Sequence, residues 1–123
     1  AFRIMIPAGG GRVINIGSTA GQRPREYSAP YTASKHAIWG LTQSAALDGR
    51  EFGIAVSCLH PGNTLVERRG TGPSQSGKDS GDEPMISADD IARTALLMAT
   101  LPPDANMLEA IVLPIGMKYV GRG

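Results

Sequence analysis

Each of several shortages in this chain of 123 residues closes off a class of protein. There is one cysteine, Cys58, so no internal disulfide is possible, and a lone thiol fits a reducing compartment. No apolar run approaches the ~20 residues that cross a bilayer. The first residues also lack the charged head and apolar centre of a signal peptide. The reading is a cytoplasmic chain with no membrane partner. Excess charge of one sign is missing too: 12 basic and 11 acidic residues leave a net charge of +1. With no basic stripe to hold a phosphate backbone, a nucleic-acid partner is not expected. His36 and His60 have no Cys, Asp or Glu beside them at ligand spacing, which argues for structural histidines and no metal. Finally, no strand is followed by a glycine-rich turn that opens a helix, the arrangement that presents helix amides to a pyrophosphate. Ala8-Gly9-Gly10-Gly11 is glycine-rich but precedes a strand, so it reads as a linker.

What remains is ordinary globular material, 41% hydrophobic and 19% charged, enough for one domain over residues 1–123 with a modest core. Arg12 to Gly17 is nearly continuous in apolar character, as in a parallel strand covered on both faces. Ser18 to Pro30 reads as loop, in which Arg23 and Arg25 are either solvated or contacts for a negative group on a substrate. Pro30 stands at the threshold of a helix running from Tyr31 to about Phe52, with Ala33, Ala37, Leu41 and Ala45 as its sheet-packing face. Gly53 stops it, and Ile54 to Leu59 is a second strand that ends at His60-Pro61-Gly62.

Residues 69–86 show no periodicity and read as a mobile loop, either a lid over substrate or a plain insertion. Its carboxylates Asp79, Asp82 and Glu83 read as solvated. Ser87-Ala88-Asp89-Asp90 is a helix-capping signature, Pro102-Pro103 ends that helix, and Glu109 to Ile115 is a third strand. Three strands joined by helical crossovers predict an α/β fold, a partial doubly wound, Rossmann-like parallel sheet.

The chemistry gathers at Tyr31-Thr32-Ala33-Ser34-Lys35. On a helix, Lys35 lies one turn beyond Tyr31 on the same face, which sets an ammonium beside a phenol. A neighbouring cation favours the phenolate, turning a weak acid with an ordinary pKa near ~10 into a usable proton donor and acceptor. Ser18 emerges at the end of the first strand, where its hydroxyl can orient a carbonyl or alcohol oxygen toward the phenol.

Gly11-Arg12-Val13-Ile14-Asn15-Ile16-Gly17-Ser18, Tyr31-x-x-x-Lys35 and His60-Pro61-Gly62 together resemble the second half of a short-chain dehydrogenase/reductase, over nearly the whole chain. The resemblance implies hydride transfer between a nicotinamide, NAD or NADP, and the carbonyl or secondary alcohol carbon of a small molecule. It makes Tyr31 the acid or base, has Lys35 lower its pKa and hold the nicotinamide ribose, and has Ser18 fix the substrate oxygen. Pro61, Gly62, Asn63 and Thr64 join Tyr31 and Lys35 as implied cofactor contacts. Val66 stands where the family has a threonine, and Thr64 is a local substitute for its hydroxyl. In the family the helix after Tyr31 faces a subunit interface, which implies a homo-oligomer. Trp39 then either meets that partner or packs within the monomer.

The chain begins at Ala1 and lacks the family's cofactor half, so it is expected to be the C-terminal portion of such an oxidoreductase and inactive alone. Two other classes stay open. One is a non-catalytic interaction or dimerisation module derived from the fold. The other is an unrelated enzyme with a serine or lysine nucleophile, which no suitably spaced histidine recommends.

Overall fold

The computed structural model describes residues 1–65 and 83–121. Val66, Asp79, Asp82 and the expected mobile loop up to residue 82 lie outside the described residues. The elements in chain order are α1 Phe2–Met5, β1 Gly11–Ile16, a 3-10 turn Thr19–Gly21, α2 Ala29–Gly49, a 3-10 turn Arg50–Phe52, β2 Ile54–Pro61, β3 Thr64–Leu65, β4 Ile86–Ser87, α3 Ala88–Thr100 and β5 Glu109–Val112.

β1, β2 and β5 form a parallel sheet in the order β1-β2-β5. Its register runs from Gly11 opposite Ile54 to Ile16 opposite Leu59, and from Cys58 opposite Glu109 to Pro61 opposite Val112. This is the three-stranded α/β sheet that the apolar runs predict. Its core is the middle strand, where Ile54, Val56, Cys58 and Leu59 are buried. β3 and β4 make a separate parallel pair that was not anticipated, because two residues per strand carry no periodicity. Ile86, expected as the end of the loop, opens β4.

Successive strand residues point to opposite faces, and the side-chain contacts follow that alternation. On one face Asn15 donates to Thr42 of α2 at 2.9 Å. On the other, Arg12 reaches the carbonyls of Leu101 at 2.7 Å and Ala105 at 2.9 Å, with a further bond to Pro102. The guanidinium thus takes up carbonyls just past α3, where the helix leaves acceptors without partners. The two crossover helices therefore cover opposite faces. At the other end of α3, Ser87 Oγ accepts the Asp89 N–H at 3.1 Å, the cap expected from the sequence.

The glycine run Ala8 to Gly11 is the linker expected. A Cβ at Gly10 would stand 2.7 Å from the Gly53 carbonyl oxygen, so this turn packs on the one that follows α2. Gly53 itself is left-handed at φ +66°, a conformation in which glycine carries no Cβ penalty.

α2 corrects one expectation. Ala33, Ala37 and Leu41 are exposed, and Ala45 is half-buried. The face on the sheet is instead Lys35, Ile38, Trp39, Thr42, Ala46 and Gly49, with Thr42 and Gly49 fully buried. A Cβ at Gly49 would meet the Ile54 carbonyl oxygen at 2.8 Å, so the helix and β2 approach closely there. Trp39 accordingly packs within the monomer, edge-on to His60 at 5.6 Å between ring centroids.

Thr42 Oγ1 accepts from Asn15 and donates to the Ile38 carbonyl at 2.8 Å. Thr42→Val keeps the volume and leaves the Asn15 amide short of an acceptor, so it should destabilise the fold by about 1–3 kcal/mol. Denaturant unfolding measures this directly.

Candidate active site

Ser18 sits just past the end of β1. The Gly17 N–H carries the ladder one step further by donating to the Leu59 carbonyl at 2.8 Å. Ser18 is buried and extended, and its Oγ caps the following 3-10 turn by accepting the Ala20 N–H at 3.1 Å. A serine hydroxyl has one proton and two lone pairs, so its donor and one acceptor site remain for a substrate oxygen.

Tyr31 and Lys35 lie on the first turns of α2. Lys35 Nζ donates to the Ile16 carbonyl at 3.0 Å and stands 5.6 Å from the centre of the Tyr31 ring. Ile16 ends β1, two residues before Ser18. One ammonium thus ties the tyrosine-bearing turn to the strand end that carries the serine. The contact spends one of the three donors on the ammonium and leaves two. Tyr31 is half-exposed at the surface. Gly21 permits this closeness, since a Cβ there would meet the Lys35 carbonyl oxygen at 2.8 Å.

The Pro61 to Thr64 segment leaves β2 at the same, carboxyl end of the sheet. Gly62 N–H donates to the Val112 carbonyl at 2.7 Å, and Thr64 Oγ1 turns back to the Gly62 carbonyl at 3.0 Å. Asn63 bonds Arg25 at 2.6 Å through its Oδ1 and Glu83 at 2.6 Å through its amide, and Arg25 pairs with Glu83 at 3.1 Å. Arg25 is therefore held by protein groups and not simply solvated, and Glu83 is its partner. Arg23 instead lies over the Tyr119 ring at 5.2 Å. An open depression bordered by Pro24, Arg25, Tyr27, Ser28, Thr32 and His36 flanks Tyr31 but includes none of Ser18, Tyr31 and Lys35.

Behind Ser18 is a polar side chain, His60, whose sequence surroundings suggest only a structural role. His60 is fully buried, with Nδ1 at 2.9 Å from the Ser18 carbonyl oxygen and Nε2 at 3.3 Å from Glu109 Oε1. Gln22 donates to Glu109 Oε1 and accepts from the Tyr119 hydroxyl at 2.6 Å. A signal existed: His60 is an imidazole in a mostly apolar strand, one residue past the position paired with Ile16.

The family model described as short chain dehydrogenase matches residues 1–75. The chain belongs to that family. Among curated short-chain dehydrogenases, astE of Aspergillus oryzae is 35% identical over 100 residues, which take in 75% of this chain and 38% of that protein. The solved acetoin dehydrogenase YohF from Salmonella typhimurium superposes with a TM-score of 0.73 at 32% identity, over 92% of this chain and 47% of that one. A metagenomic short-chain oxidoreductase in complex with NADP gives 0.67 at 33% identity, over 91% of this chain and 42% of the other. The chain thus spans less than half the length of these short-chain dehydrogenases.

Cys58 lies beneath the site. Burial pushes its thiol pKa up, against the lowering effects of the Thr42 hydroxyl, the Gly17 backbone and Lys35, and Glu109 adds to the rise. Because the folded value is the higher, the neutral thiol's contribution to stability is fully present below the unfolded value near ~8.5 and is lost as pH climbs through the folded one. Alkylation of Cys58 at pH 8 should be at least ~10-fold slower in the folded protein than in denaturant, because the thiolate is the reactive form. Mass spectrometry of iodoacetamide-treated protein reads the ratio.

Proposed function

We propose that these residues form the catalytic portion of a nicotinamide-dependent oxidoreductase, acting between a carbonyl and a secondary alcohol with Tyr31 as acid or base. The observation that carries this reading is the Lys35 ammonium, bonded to the end of β1 and set beside the Tyr31 ring. The donors present suit the nicotinamide end of a dinucleotide: two N–H groups of Lys35 for the ribose hydroxyls, with the Pro61 to Thr64 backbone at the same sheet end. They do not suit its phosphates, since Gly9 and Gly10 pack toward the Gly53 turn and open no helix. The relative solved with NADP supports a nicotinamide dinucleotide and leaves NAD and NADP both open.

When bound, the dinucleotide supplies or takes up the hydride. In the reducing direction Tyr31 gives its phenolic proton to the substrate oxygen as carbon receives the hydride. Ser18 donates a hydrogen bond to that oxygen and holds it in line with the phenol. Lys35 sets positive charge beside the ring on which negative charge is left. Oxidation of the alcohol runs the same transfers in reverse. Self-association, where it occurs, falls to the outer face of α2, on which Leu41 and Leu47 are exposed, and not to Trp39.

In the full-length protein, Tyr31→Phe should lower kcat by about 10²–10⁴-fold against a panel of ketones while dinucleotide binding persists. Undiminished turnover in that variant would overturn the assignment. The 123-residue chain alone should show no turnover with NADPH, and measurable reduction by it would refute its dependence on a separate phosphate-binding part.

A further inference from the structure

Arg25, Asn63 and Glu83 close a triangle in which every pair of side chains is bonded. Arg25 Nη2 donates to Asn63 Oδ1 at 2.6 Å, and Asn63 Nδ2 donates to Glu83 Oε2 at 2.6 Å. Arg25 Nη1 completes it by donating to the same carboxylate oxygen at 3.1 Å. A guanidinium only donates and a carboxylate only accepts, so an amide between them has one orientation that satisfies both, and Asn63 has it. Both ends of that amide are thereby engaged within the protein.

Two corners of the triangle are tied by their backbones to the candidate site. Ser28 Oγ donates to the Arg25 carbonyl at 2.7 Å and lies 3.0 Å from Thr32 Oγ1, and the Thr32 N–H donates to the Ser28 carbonyl at 2.8 Å. Arg25 is thus fastened to the first turn of α2, which carries Tyr31. Asn63 follows Pro61 and Gly62 at the carboxyl end of β2, and its carbonyl accepts the Ile86 N–H at 2.9 Å where β3 meets β4. Among the described residues, the Arg25 to Asn63 bond is the one hydrogen bond between residues 19–30 and 61–65.

We propose that Arg25 is a positioning residue: with Glu83 as its counter-charge, it holds the Pro61 to Thr64 segment at a set distance from the turn that carries Tyr31. This rests on the reading of that segment as a wall of the nicotinamide end and of Tyr31 as the proton donor. Proton and hydride go to the two atoms of one carbonyl group, so the spacing of these two segments sets how well the transfers align. Neither Arg25 nor Glu83 touches a reacting atom. Their side chains are 48% and 45% exposed, so the ion pair adds little to global stability. A loss on breaking it therefore reads as misplacement and not as unfolding. The competing role for Arg25, a contact for a negative group on the substrate, requires the guanidinium to leave Glu83.

In the full-length protein, Arg25→Glu and Glu83→Arg should each lower kcat about 10- to 100-fold, equally for neutral ketones and keto acids, with the melting temperature little changed. The double variant should regain most of that loss, since the Asn63 amide meets the exchanged charges with its ends reversed. A loss confined to keto acids would make Arg25 a substrate contact and overturn the inference. So would a double variant no better than its worse parent. Single variants with wild-type kcat, in a protein that Tyr31→Phe inactivates, would sink this inference alone. Activity retained in Tyr31→Phe would sink the reading of the site instead. Amide hydrogen exchange gives a readout independent of turnover and of bound dinucleotide. Glu83→Gln should speed exchange at the Thr32 N–H, and Arg25→Gln at the Ile86 N–H, each by about 10-fold, although neither substituted side chain is bonded to the amide it loosens. Unchanged exchange at either amide would overturn the coupling even where the charge variants lose activity.

Discussion

One ammonium bond, from Lys35 to the Ile16 carbonyl, sets the geometry on which everything else in the site depends. It joins the first turns of α2 to the last residue of β1, and in doing so fixes the rotation of the helix about its own axis. Once Lys35 points at the strand end, positions three, four and seven residues later must meet the sheet. Those positions hold Ile38, Trp39 and Thr42, and Thr42 is fully buried. The geometry of the proposed site and the packing of the core are thus two consequences of a single rotation.

That rotation explains what the sequence revealed and what it hid. The strands, the Ser87 cap and the stop at Gly53 are local events, written in apolar runs and in residues with particular hydrogen-bonding or dihedral properties, so they were legible. The packing face of α2 was not. Ala33, Ala37, Leu41 and Ala45 recur with the same helical period as Lys35, Thr42 and Gly49, and small apolar residues suit an outer face as well as an inner one. A reading that started from Lys35 would have chosen the right stripe. The trio Ser18, Tyr31 and Lys35 was legible as a pattern, whereas the Arg25, Asn63 and Glu83 bridge was not, because it joins three segments far apart in the chain.

The centre of this sheet is also more polar than its strands suggest. Asn15 reaches Thr42, and Ser57 donates to Asn106 at 2.8 Å, which in turn donates to the Val56 carbonyl at 3.0 Å. The Thr42 and Ser57 hydroxyls are buried and would be costly if unpaired, and each is paired with an amide on a neighbouring segment, the half-buried Asn15 or the exposed Asn106. Each such bond has one good geometry, so it pins the register of helix or loop against strand in a way that apolar contact alone does not. A site that needs a phenol and a hydroxyl at fixed places gains from that rigidity.

Gly17 shows how tightly the packing closes around Ser18. A side chain at residue 17 would strike the His60 ring at 2.6 Å and the Cys58 sulfur at 2.8 Å, so only glycine lets β1 approach β2 there with both in place. The same approach brings the Ser18 backbone to the imidazole. Freedom at position 17, an imidazole at position 60 and the setting of the hydroxyl at position 18 are therefore one constraint, because moving any of the three displaces the other two.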